Sequence, residues 1–253
     1  MSKEKPILYK RATQLKNVIL RIDYPSFPAD KISIIDGILK PKYPIVKQLP
    51  VKKGEIQYNF DKDELNRTII NSFERIYQDT SKTKSIKITE SYIGITYTKY
   101  KDRSDLLKDV DEFIQKIIDA LDIKTINKIG LRYVNILDNT DAKELSDRKQ
   151  FVNKKLTTSL EFSTENTKTV RSLSQIHLTT ESSMIIFRYG VFNKDYPSDI
   201  INQEFVLDID SQTIFPIDAT DKTSIISTID QYNKNIQKIF ETAITEKYRN
   251  IIK

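Results

Sequence analysis

The chain has 253 residues with no Cys, no Trp, one His and only 5 Gly. The missing Cys excludes disulfides, thiolate metal sites and a thiol nucleophile, and so little Gly leaves almost nothing from which to build a phosphate-cradling loop. Lys and Arg number 41 against 35 Asp and Glu, a net charge of +6, which permits a polyanionic partner but lacks the one-sided balance of a dedicated nucleic-acid binder.

Residues 1–13 read as a basic, solvated arm. No apolar stretch follows it, so a signal peptide is not expected, and no run approaches the ~20 apolar residues of a membrane span. The expected location is therefore the cytoplasm, with no membrane partner. Leu15–Tyr24 places Val18, Leu20 and Ile22 on one face of a first strand, which Pro25 and Pro28 end. Ile32, Ile34, Ile35, Ile38 and Leu39 suit a short helix before Pro41. The span from Pro41 to Pro50 carries three prolines and reads as an extended connection. Ile56, Tyr58 and Phe60 then alternate as a strand. Residues 64–78 fit either period, and a strand from about Ser72 after a helical turn is the preferred reading. A turn at 80–84 leads into a hairpin whose strands carry Ile86 and Ile88, then Tyr92–Thr98.

The clearest stretch is 104–135. Leu106, Val110, Phe113, Ile114, Ile117, Ile118 and Leu121 recur at spacings of three and four, an apolar stripe along a helix. Ser104 is its expected N-cap, with Asp105 favourably placed in the helix dipole. Ile129, Leu131 and Tyr133 then alternate with Gly130, Arg132 and Val134, a strand apolar on both faces and hence interior. Residues 137–144 are polar, and Ala142–Leu156 reads as an exposed helix or connection continuing to about Asn166. Three strands follow, over Thr169–Leu178, Ser183–Phe192 and Glu204–Asp210. A closing helix carries Ile225, Ile229, Tyr232, Ile236, Ile239, Phe240, Ala243 and Ile244, with Thr220 or Asp221 as its cap. The expected architecture is α+β: antiparallel sheets with amphipathic helices packed on one face, in two loosely similar halves. The expected division is an N-terminal half at 1–137, a connection at 138–166 and a C-terminal part at 167–253.

Gly130-Leu131-Arg132-Tyr133-Val134-Asn135, the NVILRIDYP run at 17–25, VLDID at 206–210 and FETAITEKYR at 240–249 stand in one order over nearly the whole chain. In this the chain resembles a sporadically distributed family of prokaryotic proteins of unknown function, and the Gly-Leu-Arg-Tyr-x-Asn strand is its most specific element. The resemblance implies no catalytic residue and no cofactor. The family's scattered occurrence is what anti-phage defence or toxin–antitoxin genes show.

Four groups of residues are candidates for chemistry. Glu204, Asp208 and Asp210 share a parity and so a strand face, with Asp218 and Asp221 soon after; together they either hold a divalent metal for phosphodiester hydrolysis or form the solvated face of a half-buried strand. No Glu-x-Lys follows at the place a nuclease would want it. His177 is the sole imidazole; as a base it would need a carboxylate such as Asp199 and a nucleophile such as Ser172 or Ser174, and with no Gly-x-Ser-x-Gly elbow present the default reading is a hydrogen-bonded sheet residue. Arg132 with Asn135 either bridges a carboxylate and ties the sheet to a helix, or presents a guanidinium to a phosphate or to a partner's carboxylate. Tyr97, Lys99, Tyr100, Lys101 and Arg103, beside Lys82, Lys84 and Lys87, suit single-stranded nucleic acid or form a Lys-guarded sheet edge. The expectation is a non-catalytic interaction or regulatory protein that acts with a second protein, one encoded nearby in an anti-phage defence system. A nucleic-acid-binding protein is the alternative, and a metal-dependent nuclease the third reading.

Overall fold

The computed structural model describes residues 14–27, 29–59, 64–137, 149–162, 164–167, 169–198 and 204–252. The expected arm at 1–13, Pro28, and the start of the 142–156 segment lie outside these residues. The fold is α+β, with a large antiparallel sheet of nine strands. The chain divides into two compact units, Ile19–Ile129 with Phe215–Ser227, and Gly130–Ile214 with Met1–Val18 and Thr228–Lys253.

In the first unit the strand order is β2 (Ile45–Asn59), β3 (Glu64–Gln78), β4 (Lys84–Thr89), β5 (Tyr92–Tyr97) and β1 (Leu15–Asp23). On β1 (Leu15–Asp23), Val18, Leu20 and Ile22 are buried in alternation, as expected. Helix α1 (Ile32–Leu39) buries Ile35 and Leu39. Its Asp36 accepts from the Tyr77 hydroxyl and the Arg75 guanidinium, each at 2.7 Å, and pairs with Lys40 at 2.9 Å. Burial opposes ionisation of Asp36, but hydrogen bonds from Lys40, Tyr77 and Arg75 outweigh it and hold the carboxyl below its ordinary range.

The next two elements differ from the sequence reading. β2 (Ile45–Asn59) and β3 (Glu64–Gln78) are 15-residue strands paired along their whole length, from Ile45 opposite Gln78 to Asn59 opposite Glu64. The expected connection over 41–50 thus holds only as far as Pro44, and from Ile45 it is part of a strand. β2 is outermost in the order, where Pro50 removes no interior ladder bond. No helical turn opens β3: pairing satisfies its backbone continuously, and the β-branched run Thr68-Ile69-Ile70 suits that state. β4 (Lys84–Thr89) and β5 (Tyr92–Tyr97) form the expected antiparallel pair.

The helix after β5 runs as α2 (Arg103–Asp109), a π-helical turn (Val110–Ile114) and α3 (Gln115–Ala120). All seven stripe residues, Leu106 to Leu121, are buried, each stabilising the fold by about 1.5–3 kcal/mol. The N-cap is Asp102, not Ser104. Asp102 accepts from the Asp105 amide at 3.0 Å, and Ser104 donates its hydroxyl to the same carboxylate. A carboxylate accepts more strongly than a hydroxyl at the positive helix end. At the other end Asp122 turns left-handed (φ 56°) and Ile123 N–H reaches back to Ile118 O at 3.0 Å, which closes the helix. The two-residue strands β6 (Thr125–Ile126) and β11 (Ile217–Asp218) pair with each other.

In the second unit the order is β7-β10-β9-β8, comprising β7 (Lys128–Leu137), β8 (Ser172–Thr179), β9 (Ser183–Val191) and β10 (Phe205–Thr213). β10 is central, with Asp208 opposite Val134 on one side and Arg188 on the other. Phe205, Leu207, Ile209 and Ser211 bury one face, together with Leu131, Ile185 and Phe187. Asn233 and Asn235 of α4 (Lys222–Ala243) lie on that side, accepting from Tyr133 at 2.8 Å and donating to Ser183 at 3.5 Å. Asp221 caps α4 through the Ser224 amide at 2.9 Å. The expected long closing helix is α4, which ends at Ala243. Ile244 bridges to Val152, and Asn153 N–H takes the Ala243 carbonyl at 2.8 Å, so the segment before β8 satisfies the helix end and a separate α5 (Glu246–Ile252) follows.

Five tyrosines give an optical report on this packing. Burial pushes up the phenols of Tyr24, Tyr43, Tyr77, Tyr97 and Tyr232, with Asp23, Asp109 and Asp36 adding to it beside Tyr24, beside Tyr43 and Tyr97, and beside Tyr77. A raised acid stabilises the fold below its unfolded pKa of about 10 and loses that contribution as pH rises beyond it. In a chain without Trp, alkaline titration at 295 nm is expected to show these five phenols ionising only together with loss of far-ultraviolet dichroism. A single smooth transition for all phenols, with the dichroism intact, would contradict the packing.

Candidate functional site on the C-terminal strands

The face of β7-β10-β9-β8 opposite Leu207 and Ile209 carries a band of polar groups. It begins with Asp208, 5% exposed at the middle of β10. Arg132 on β7 grips it with two parallel bonds, Nε to Oδ1 and an Nη to Oδ2, each 2.7 Å. Arg188 on β9 adds a longer contact at 3.4 Å and also donates to Gln175 on β8 at 2.8 Å. Gln175 Nε2 lies 2.6 Å from His177 Nε2. The band thus crosses four strands, and both guanidiniums remain partly exposed. The bidentate bond to Asp208, opposed by burial, raises the Arg132 pKa above its already high ordinary value, so the guanidinium keeps its charge at any physiological pH.

The structural reading of Arg132 holds in part. It does bridge a carboxylate, but it ties strand to strand. Asn135 is on the opposite face, buried, with its amide donating to Leu207 O at 3.2 Å. The polar residues of the Gly-Leu-Arg-Tyr-x-Asn strand therefore each bond a neighbouring element: Arg132 to Asp208, Tyr133 to Asn233, Asn135 to the β10 backbone.

The strand carboxylates are engaged by cations. Glu204 pairs with Lys194 at 2.8 Å, and Asp208 with both arginines. Asp210 lies beside Gly130, its Oδ1 3.8 Å from where a β-carbon there would stand, and acts electrostatically on Arg132. Asp218 accepts from Thr220, and Asp221 is spent on the α4 cap. Among the described residues no group of three or more His, Asp or Glu is arranged to hold a metal ion. His177 is exposed on the edge strand β8, and Ser172 and Ser174 project from the other face of that strand.

The Tyr/Lys hairpin is also partly consumed. Tyr97 is fully buried, its hydroxyl on Asp109 at 2.6 Å, so its ring is not on offer to a base. Tyr100 stacks edge-on against Tyr97 with centroids 5.5 Å apart. Lys84 is bound to Asp109 and Asp105, and Lys87 to Glu74 at 2.8 Å. Lys99, Lys101 and Arg103 stay exposed.

Sequence reasoning missed the Asp109 cluster. Asp109 is 1% exposed where α2 passes into the π-helical turn, a helix irregularity found often at functional sites. Lys84 and Tyr97 contact its Oδ2, Lys42 lies 3.8 Å from Oδ1, and Tyr43 is buried beside it. A signal existed, because Asp109 sits next to Val110 within the apolar stripe.

No protein-family profile and no curated protein matches this chain. Its chemistry is therefore read from its own residues. No helix among the described residues is long and apolar enough to cross a membrane.

Proposed function

We propose that the chain is a non-catalytic interaction protein that works in the cytoplasm beside a second protein, as the regulatory or sensing subunit of a prokaryotic anti-phage defence system. The observation that carries this reading is the commitment of Asp208. A carboxylate held by one bidentate guanidinium and contacted by a second has its charge balanced and most of its acceptor sites taken, which disfavours a metal ion there. The same face keeps Val134, Ile186 and Val206 half-exposed alongside the two arginines. Apolar side chains mixed with Arg are the composition of a protein-binding patch. The defence role follows from the family resemblance.

The test is capture from the native host by the tagged chain and by a Val206→Lys variant, with dichroism as the control for folding. The expected result is one partner retained by the parent and lost by the folded variant. Hydrolysis of RNA, DNA or nucleotides by the purified chain with Mg²⁺ would overturn the reading. Binding to nucleic acid that fades with salt would favour the alternative.

A further inference from the structure

β8 ends the strand order of the sheet, and its outer side has no strand beside it among the described residues. The other end of the order, β2, carries Lys47 and Pro50, residues of the kinds that blunt an exposed edge. β8 reads SLSQIHLT, with no Lys, Pro, Asp or Glu, and leaves Leu173 46%, Leu178 41% and Ile176 38% exposed. An uncharged outer strand of eight residues is a ready template for another strand.

The register identifies that strand. Thr180 N–H donates to Ser183 O at 2.8 Å across the two-residue turn into β9. Backbone groups alternate in direction along an antiparallel strand, so even-numbered residues of β8 bond β9, and Leu173, Gln175, His177 and Thr179 point theirs outward. Two copies related by a two-fold axis normal to the sheet bring like faces together, so opposed residues share a parity. Centring the axis on Ile176 sets Ile176 against Ile176 as a non-hydrogen-bonded pair, where side chains come closest. Gln175 then exchanges backbone bonds with His177, and Leu173 with Thr179. One step further out, exposed Arg171 of each copy meets exposed Glu181 of the other. Shifting the centre to Gln175 or His177 places Arg171 opposite Thr179 or Ser183 and loses this match.

We infer that β8 pairs antiparallel with β8 of a second copy about an axis through Ile176, joining two sheets edge to edge with Arg171–Glu181 contacts at both ends. This contact uses the strand edge and not the sheet face assigned to the partner, so either can fail alone.

Absence of Cys makes the test clean. Opposed residues of a non-hydrogen-bonded pair have Cα atoms about 4.5 Å apart, within reach of a disulfide. Mild oxidation of Ile176→Cys is expected to give a covalent dimer, and Ser174→Cys alone is expected to give none. Ser174→Cys combined with Leu178→Cys is expected to link again. By sedimentation equilibrium, Arg171→Glu weakens dimerisation on the order of tenfold, and Arg171→Glu with Glu181→Arg restores it. A parent that stays monomeric at every soluble concentration, a link at position 174 alone, or a dimer indifferent to Arg171→Glu would each overturn the pairing.

Discussion

Replacing Gly190 with Ala is expected to destabilise the chain by about 3 kcal/mol or more. Gly190 lies near the end of β9, opposite Leu173 of β8, with φ at +137°. That region is essentially closed to residues with a side chain, because a β-carbon there meets the chain's own carbonyls. The neighbourhood adds a second cost. A β-carbon on Gly190 would stand 2.0 Å from Ser172 O and 2.9 Å from Ser172 C. Both are backbone atoms, so no side-chain rotation relieves the clash, and β8 must shift away from β9 where their pairing begins. In a chain of this length the loss corresponds to a fall in Tm of roughly 6–12 °C. Gly37→Ala is the matched control. It lies within α1 with nothing within 4 Å of the added carbon, and Ala in a helix interior is favoured over Gly by about 0.5–1 kcal/mol. The two substitutions should therefore move Tm in opposite directions. A Gly190→Ala protein within about 1 °C of the parent would show that the close approach of β8 and β9 is not as described. The edge strand that carries the inferred two-fold contact is the element displaced, so the same substitution should also weaken dimerisation.

Lys84→Met is the second large effect, expected at about 3–5 kcal/mol. The reason is Asp109, whose carboxylate is 1% exposed and takes Lys84 and the Tyr97 hydroxyl on one oxygen, with Lys42 3.8 Å from the other. Methionine keeps the aliphatic volume of the lysine stem and removes its charge, leaving a buried carboxylate with one neutral donor and a distant cation. An ion pair that loses one member costs more than a pair that was never built. The double variant Lys84→Met with Asp109→Leu tests this directly. It removes both charges, leaves only the Tyr97 hydroxyl unsatisfied, at about 1–3 kcal/mol, and should be more stable than Lys84→Met alone. If the double variant were the less stable of the two, Asp109 would be supported by contacts other than Lys84. Urea denaturation at neutral pH measures both proteins, with the midpoint read at unchanged m-value.

Both sites show where reading the sequence stops. The stripe from Leu106 to Leu121 and that from Ile225 to Ile244 are visible because burial repeats with the helical period, and each residue declares itself through its own spacing. The alternation in β1, β7 and β10 is visible for the same reason. Asp109 falls inside a stripe that the pattern treats as apolar, and its partners lie 25 and 12 residues earlier in the chain. Asp208 shows its face by parity, but Arg132, 76 residues away, is what closes that carboxylate. The Tyr/Lys hairpin misleads in the opposite way. Composition cannot separate Lys84, spent on a carboxylate, from Lys99 and Lys101, left in solvent.

The sequence by itself determined the class of the fold, the two amphipathic stripes, most strands and the absence of thiol chemistry, because each depends on local period or on composition. Tertiary structure alone decided the length of β2 and β3, the break after Ala243 and the fate of every charged candidate. A strand's backbone and a buried charge are both satisfied by partners far along the chain, and only folding brings those partners within bonding distance.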